Sequence, residues 1–213
     1  MNKKPLLINV YGASGTGKSI LASTFANALK LRGINAEYCR EWVKEPILGG
    51  LNTDDVNQWH ITAEQTQLLA NYLKSGCDVV ITDSPVLTGK FYGLGNKDSK
   101  PDMPWTHWND MCEGFLEKHE ELVGEGNTIN ILLKHDPKVE YQSFGREQTK
   151  EQSLTMQYSW GGLLRYHRKI FSEAYLRDFI GFGYDTPLNV LKALLRDSTK
   201  INNHMKEVIC GLK

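Results

Sequence analysis

Apolar and polar positions along this chain follow two rhythms, and the switches between them mark the elements. Leu6-Leu7-Ile8-Asn9-Val10-Tyr11 is almost continuously apolar, as a parallel strand buried on both faces should be. A glycine-rich turn follows. Ile20, Leu21, Phe25, Ala28 and Leu29 then recur at helical spacing over Ser19 to Arg32, with Gly33 as the stop. Ala36 to Glu41 predicts a second strand, after which Trp42-Val43-Lys44-Glu45-Pro46 and Gly49-Gly50 break regularity. Thr53 or Asp54 can cap a helix running to about Lys74. Asp78-Val79-Val80-Ile81-Thr82 predicts a third strand, ending at Asp83-Ser84-Pro85. Gly93 to Trp105 reads as an exposed loop, followed by an amphipathic helix to about Val123 and a fourth strand over Thr128 to Lys134. Asp136 to Thr149 is polar, and Glu151 to Asp178 reads as mostly helical despite Gly161-Gly162. Phe179-Ile180-Gly181-Phe182 predicts the last strand, and Pro187 to Leu195 a helix with proline in its first turn. Strands alternating with helices predict an α/β fold, three layers with a mostly parallel five-stranded sheet.

Composition changes this picture mainly by exclusion. A chain of 213 residues fits one core, so residues 1–195 are expected to form one domain with a lid at about 136–178, and 196–213 a polar helix or tail. The formal net charge of zero argues against a protein that coats nucleic acid through long-range attraction. No run approaches the roughly 20 apolar residues of a membrane span, and the apolar stretch behind Met1-Asn2-Lys3-Lys4-Pro5 is too short for a signal peptide. A soluble, cytoplasmic chain is expected. Cys39, Cys77, Cys112 and Cys210 lack metal or disulfide spacing and are expected to be reduced, small apolar residues.

The chemistry begins at Gly12-Ala13-Ser14-Gly15-Thr16-Gly17-Lys18-Ser19, a Gly-x-x-x-x-Gly-Lys-Ser run between predicted strand and helix. Glycines there let backbone N–H groups curl around a β-phosphate, and the helix N-terminus adds its dipole. Lys18 is expected to reach the β and γ oxygens of ATP, and Ser19 to place its hydroxyl on Mg²⁺. Asp83, at a strand end, suits the carboxylate that supports the magnesium shell, although a turn aspartate before Pro85 reads similarly. Glu41 closes the second strand near the same crevice and is a candidate base for an attacking hydroxyl; a surface cluster with Arg40, Lys44 and Glu45 is the plainer alternative. Arg146, in the polar segment after the fourth strand, suits a lid arginine that neutralises the transferring phosphoryl group, with Arg165 and Arg168 as substitutes. Trp42, Trp59, Trp105, Trp108, Phe91 and Tyr92 offer either core packing or a stacking wall for a base.

With these residues in place, the chain resembles the small P-loop kinases related to the nicotinamide-riboside kinase domain. In particular it resembles a bacteriophage branch that carries the AAA-type ATPase label and includes the 5-hydroxymethyluracil DNA kinases. The phosphate loop, Leu31-Arg32-Gly33-Ile34-Asn35-Ala36-Glu37, Glu41-Trp42-Val43-Lys44, Val79 through Leu87 and Gly145-Arg146-Glu147-Gln148-Thr149 carry the resemblance. It implies a P-loop NTPase fold of the nucleoside- and nucleotide-kinase kind with a helical lid. It also implies transfer of the γ-phosphate of ATP to a hydroxyl of a modified pyrimidine in DNA, in a host cytoplasm. Lys90, Lys97 and Lys100 would then touch the flanking phosphates. A kinase acting on a small nucleoside or nucleotide, and an ATPase that drives a partner, remain open. The helix after Thr149, with its Trp160-Gly161-Gly162 break, and the tail after Leu195 depart from the branch.

Overall fold

The computed structural model describes residues 4–50, 57–95, 103–136, 138, 149–167, 169, 171–179 and 185–197, without the side chains of 94–95, 185–186 and 194–197. Its strands are β1 (Leu6–Gly12), β2 (Ala36–Cys39), β3 (Val79–Thr82), β4 (Thr128–Lys134) and β5 (Ser172–Tyr175). They form one sheet in the order β2-β3-β1-β4-β5, and every neighbouring pair is parallel. Helices α1 (Lys18–Lys30), α2 (Lys44–Leu48), α3 (Gln58–Lys74), α4 (Val86–Gly95), α5 (Trp105–Val123), α6 (Lys150–Tyr166) and α7 (Asp185–Asp197) complete the described chain. No helix among the described residues is long and apolar enough to cross a membrane.

The alternation of β1 divides the core. Leu6, Ile8 and Val10 join Leu21, Phe25 and Leu29 of α1 and Leu188 and Leu191 of α7. Leu7 joins Leu69, Leu73 and Val80, while Tyr11 joins Leu87, Trp160 and Leu164 on the same opposite face. Burying each of these large side chains contributes about 1.5–3 kcal/mol, so both helix layers are held firmly to the sheet. The central strands and β4 therefore follow from their apolar runs, and so does the crevice at their carboxyl ends.

Three elements differ from the sequence expectation. Residues after Pro85 form α4, which takes in the start of the loop expected over Gly93 to Trp105, and Gly89 within it is a packing residue. A Cβ there would lie 2.1 Å from Thr62 Oγ1 of α3, so the glycine marks a close helix contact rather than a break. The described fifth strand is Ser172–Tyr175, within the span expected to be helical, and α6 stops at Tyr166; of the strand expected over Phe179–Phe182 only Phe179 is described, in a turn, and the rest lies outside the described residues. As an edge strand that is only half buried, β5 has a polar sequence without an apolar run. Phe179 instead packs edge-on against Phe25 with ring centroids 5.5 Å apart, which explains its hydrophobicity without a strand. Helix α3 begins at Gln58, capped by the Asn57 side chain; Thr53 and Asp54 lie outside the described residues, as does the tail beyond 197.

Candidate active site

The phosphate loop is built where β1 turns into α1. Gly12 has φ +148°, and a Cβ there would come within 2.6 Å of the Leu133 carbonyl oxygen on β4. Gly17 has φ +91°, and a Cβ there would lie 2.4 Å from Leu176 Cδ2. Neither position accepts another residue without strain. Ala13 O accepts from Thr16 Oγ1 and from Lys18 Nζ, both at 3.0 Å, which closes the loop on itself. Helix α1 starts with no side-chain cap and no acidic residue in its first turn. Its positive end is left for an anion.

A support beneath the loop was not legible in the sequence. Ser153 of α6 donates to Ser14 O at 2.5 Å, and the same hydroxyl meets His135 Nε2 at 2.6 Å. Gln157 of α6 accepts from His135 N at 2.5 Å. The helix is fixed at its start by a capping box of Thr149 and Gln152. Residues at the end of β4 and the first turns of α6 thus brace the loop from the side. Serine in a polar helix gives no signal of such a role.

Next to the loop, Ser19 Oγ donates to Asp83 Oδ2 at 2.5 Å, so two residues singled out from sequence meet directly. Asp83 is buried; its Oδ2 also accepts from Tyr38 Oη at 2.8 Å, and its Oδ1 is buried with no hydrogen-bond partner among the described residues. Lys44 Nζ lies 2.8 Å from Ser19 Oγ, 3.4 Å from Asp83 Oδ2 and 3.5 Å from Glu41 Oε2. Burial first and then the Asp83 charge raise the Tyr38 phenol far above its ordinary range, so it stays a donor. Burial pushes the neighbouring Cys39 thiol up to about 12, with Asp83 adding to it. Cys39, Cys77 and Cys112 are buried free thiols, as expected; Cys210 is outside the described residues.

Glu41 lies two residues beyond the end of β2 rather than closing it. Its turn is clamped by buried Gln65, which accepts from Trp42 N at 2.6 Å and donates to Arg40 O at 3.4 Å. Arg40 pairs with Glu45, so the cluster with Glu45 and Lys44 is real, but through Lys44 it includes Ser19 and Asp83. Sequence reading missed Tyr38 as a member, because half-buried strand tyrosines are usually packing residues.

Other expected members lie elsewhere. Arg146 and Arg168 are outside the described residues, as are Lys97 and Lys100. Arg165 is exposed, with its guanidinium 5.6 Å from the Phe171 ring centroid. Lys90 is no loop lysine: it is buried on α4 and pairs with Glu113 at 2.7 Å. Trp108 and Phe91 are also buried, Phe91 stacking on Trp160 at 4.2 Å, so both are core. Of the tryptophans expected to stack a base, Trp42 and Trp59 flank His60 edge-on at 5.5 and 5.8 Å.

A magnesium ion fits this donor set. The unpartnered Asp83 Oδ1, the Ser19 hydroxyl and an ammonium already drawn to both mark a place for a cation. Among the described residues no group of three or more His, Cys, Asp or Glu forms a metal cage. That suits an ion held by one carboxylate, a hydroxyl, phosphates and water.

No family model matches this sequence, and no curated protein does. Solved structures share its shape. The NadR protein in complex with NR matches with TM-score 0.61 and 16% identity, over 92% of this chain and 52% of its own. The present chain thus spans about half the length of that protein. Thymidylate kinase from Candida albicans matches with TM-score 0.51 and 12% identity, over 93% of this chain and 96% of its own. Deoxyadenosine kinase from M. mycoides with bound dATP matches with TM-score 0.52 and 15% identity, over 89% and 99%. Together with the parallel sheet and the loop after its central strand, this likeness gives the chain the P-loop NTPase fold, a three-layer α/β/α sandwich.

Proposed function

We propose that the protein is an ATP-dependent phosphotransferase that moves the γ-phosphate to a hydroxyl of a nucleoside-type acceptor. The observation that carries this reading is the meeting of Ser19 and the buried Asp83 beside an uncapped helix N-terminus. Backbone N–H groups of Gly12 to Ser19 cradle the phosphates, and Lys18 leaves Ala13 O to reach the β and γ oxygens. Ser19 and Asp83 would hold magnesium, which when bound would neutralise and orient the phosphates. Glu41 accepts the proton of the acceptor hydroxyl, whose oxygen bonds to the γ-phosphorus as the bond to the β,γ-bridging oxygen breaks and ADP leaves. Arg146, from the segment after β4, is the proposed lid arginine.

Two acceptors are compatible with this chemistry. A free nucleoside or nucleotide is supported by the fold likeness to a thymidylate kinase, a deoxyadenosine kinase and a protein in complex with NR, and by burial of Lys90 in a pair with Glu113, which removes one lysine expected on DNA phosphates. A 5-hydroxymethyl pyrimidine in DNA is supported by the sequence resemblance, with Trp42 and Trp59 left to stack a base.

The test is label transfer from γ-labelled ATP to free nucleosides including nicotinamide riboside, to DNA containing 5-hydroxymethyluracil and to unmodified DNA. Label on a nucleoside or on the modified DNA supports the kinase and names its acceptor. ATP turnover indifferent to every acceptor would overturn it in favour of an ATPase.

A further inference from the structure

We infer that Lys44 is the resident cation of the metal site, held on Ser19 and Asp83 until a divalent ion replaces it. The inference rests on the proposed triphosphate chemistry and adds a residue that controls how the metal enters. Asp83 is a carboxylate with only 2% of its side chain exposed, and a buried charge without a counterion is strongly disfavoured. Tyr38 and Ser19 donate hydrogen bonds to it but bring no charge. Lys44 places a cation beside it, at 3.4 Å.

The same ammonium occupies the atom that the metal needs. Ser19 Oγ gives its hydrogen to Asp83 and accepts from Lys44 at 2.8 Å. Magnesium takes oxygen ligands at about 2.0–2.1 Å in an octahedral shell and so requires the lone-pair side of that oxygen. Two cations on one hydroxyl, within about 4 Å of each other, repel in a partly buried site. Metal and Lys44 therefore exclude each other.

The displaced lysine has somewhere to go. Glu41 Oε2 is 3.5 Å from Nζ, and the Lys44 side chain is already 43% exposed. Helix α2, which starts at Lys44, is five residues long and buries none of them; Ile47 and Leu48 are exposed. Little packing opposes a shift of its first turn, so loading of the metal and release of Lys44 are coupled.

The experiment is thermal unfolding of the nucleotide-free protein in EDTA and in millimolar Mg²⁺, for the wild type, Lys44→Met, Lys44→Gln and Lys44→Arg. The wild type and Lys44→Arg should be nearly indifferent to Mg²⁺ alone. Lys44→Met and Lys44→Gln should melt lower in EDTA and recover by about 2–4 °C in Mg²⁺, the shift that about 1 kcal/mol of stability gives a domain of this size. Lys44→Gln keeps a hydrogen bond to Ser19 without charge, so it separates the two roles and also serves if Lys44→Met does not fold. Neutral variants no more responsive to Mg²⁺ than the wild type overturn the inference. If wild-type protein is stabilised by Mg²⁺ with ATP and transfers label, that failure leaves the kinase reading intact. Absence of both ATP stabilisation and label transfer removes the kinase reading, and the resident-cation role falls with it.

Discussion

Two charge clusters inside this molecule are mirror images in sign. At the phosphate loop the buried group is an anion, Asp83, and its partner Lys44 reaches the surface. Between α4 and α5 the buried group is a cation, Lys90, with 2% of its side chain exposed, and its partner Glu113 is 41% exposed. Each matches a charge that water cannot reach with one that it can. The difference is in what remains unmatched. Asp83 keeps one carboxylate oxygen with no hydrogen-bond partner among the described residues, next to a hydroxyl and an uncapped helix end, the place where the proposed function puts an anion and its metal. At the second cluster Glu113 also meets His167 Nδ1 at 3.5 Å, and the atom left over is His167 Nε2, on a ring held neutral by burial and then by Lys90. A missing bond to a neutral nitrogen costs about 1–3 kcal/mol and needs no ligand. On the proposed reading, one cluster exchanges partners and the other stays.

The largest expected effects break the first cluster without unfolding the protein. Lys18→Ala should lower label transfer about 10²–10³-fold or more, the scale of losing a preorganised donor to transition-state charge, with an unchanged circular dichroism spectrum. Asp83→Asn should raise the Mg²⁺ concentration needed for half-maximal rate, whereas Glu41→Gln should lower kcat with little change in ATP affinity. If Asp83→Asn spared the metal requirement and removed turnover, the two carboxylates would trade roles.

The second cluster should answer in stability instead, and asymmetrically. Glu113→Ala strands the buried Lys90 ammonium and should cost about 3 kcal/mol in urea unfolding, as removal of one member of a buried pair does. Lys90→Met removes the buried charge itself, keeps the stem's volume and leaves Glu113 to water, so it should cost about 1 kcal/mol or less. Equal losses would show that Glu113 is as dependent on the pair as Lys90 is, and the contrast between the clusters would weaken.

The same contrast explains what the sequence made legible. The loop, Asp83 and the central strands were readable because local pattern determines them: a glycine turn between an apolar strand and a helix, and a carboxylate at a strand end. Tyr38 and the Ser153–His135 brace were not, and Lys44 was readable only as part of a surface cluster around Glu41, because they reach the site from the β2–α2 corner, the end of β4 and α6, and only the strand order brings those together. Lys90 was misplaced because a lysine between Gly89 and Gly93 reads as loop; those glycines are set by contacts with Thr62 and Trp108, residues distant in sequence. The polar edge strand β5 was missed for a related reason, since half-buried edges carry no apolar run.

The smallest expected effect sharpens the comparison through pH. His167 has its pKa lowered from 6.5 by burial and then by Lys90, with Glu113 opposing and Lys169 adding a little. His119 on α5 is lowered by burial, opposed by its contact with Thr66 O. Both rings are therefore neutral in the fold under conditions where the unfolded chain is already protonated. The unfolded state binds more protons, so stability is complete above about pH 6.5 and falls as pH drops through 6.5 toward the lower folded values. At the phosphate loop, Tyr38 and Cys39 are pushed upward, away from neutrality, and contribute no such change between pH 7.5 and 5.5. The unfolding midpoint of the wild type should decline over that interval by less than the Glu113→Ala loss, and His119→Gln together with His167→Gln should flatten the decline. A midpoint that rises on acidification, or a decline unaltered in the double variant, would mean that these two rings are not the groups that couple folding to protons.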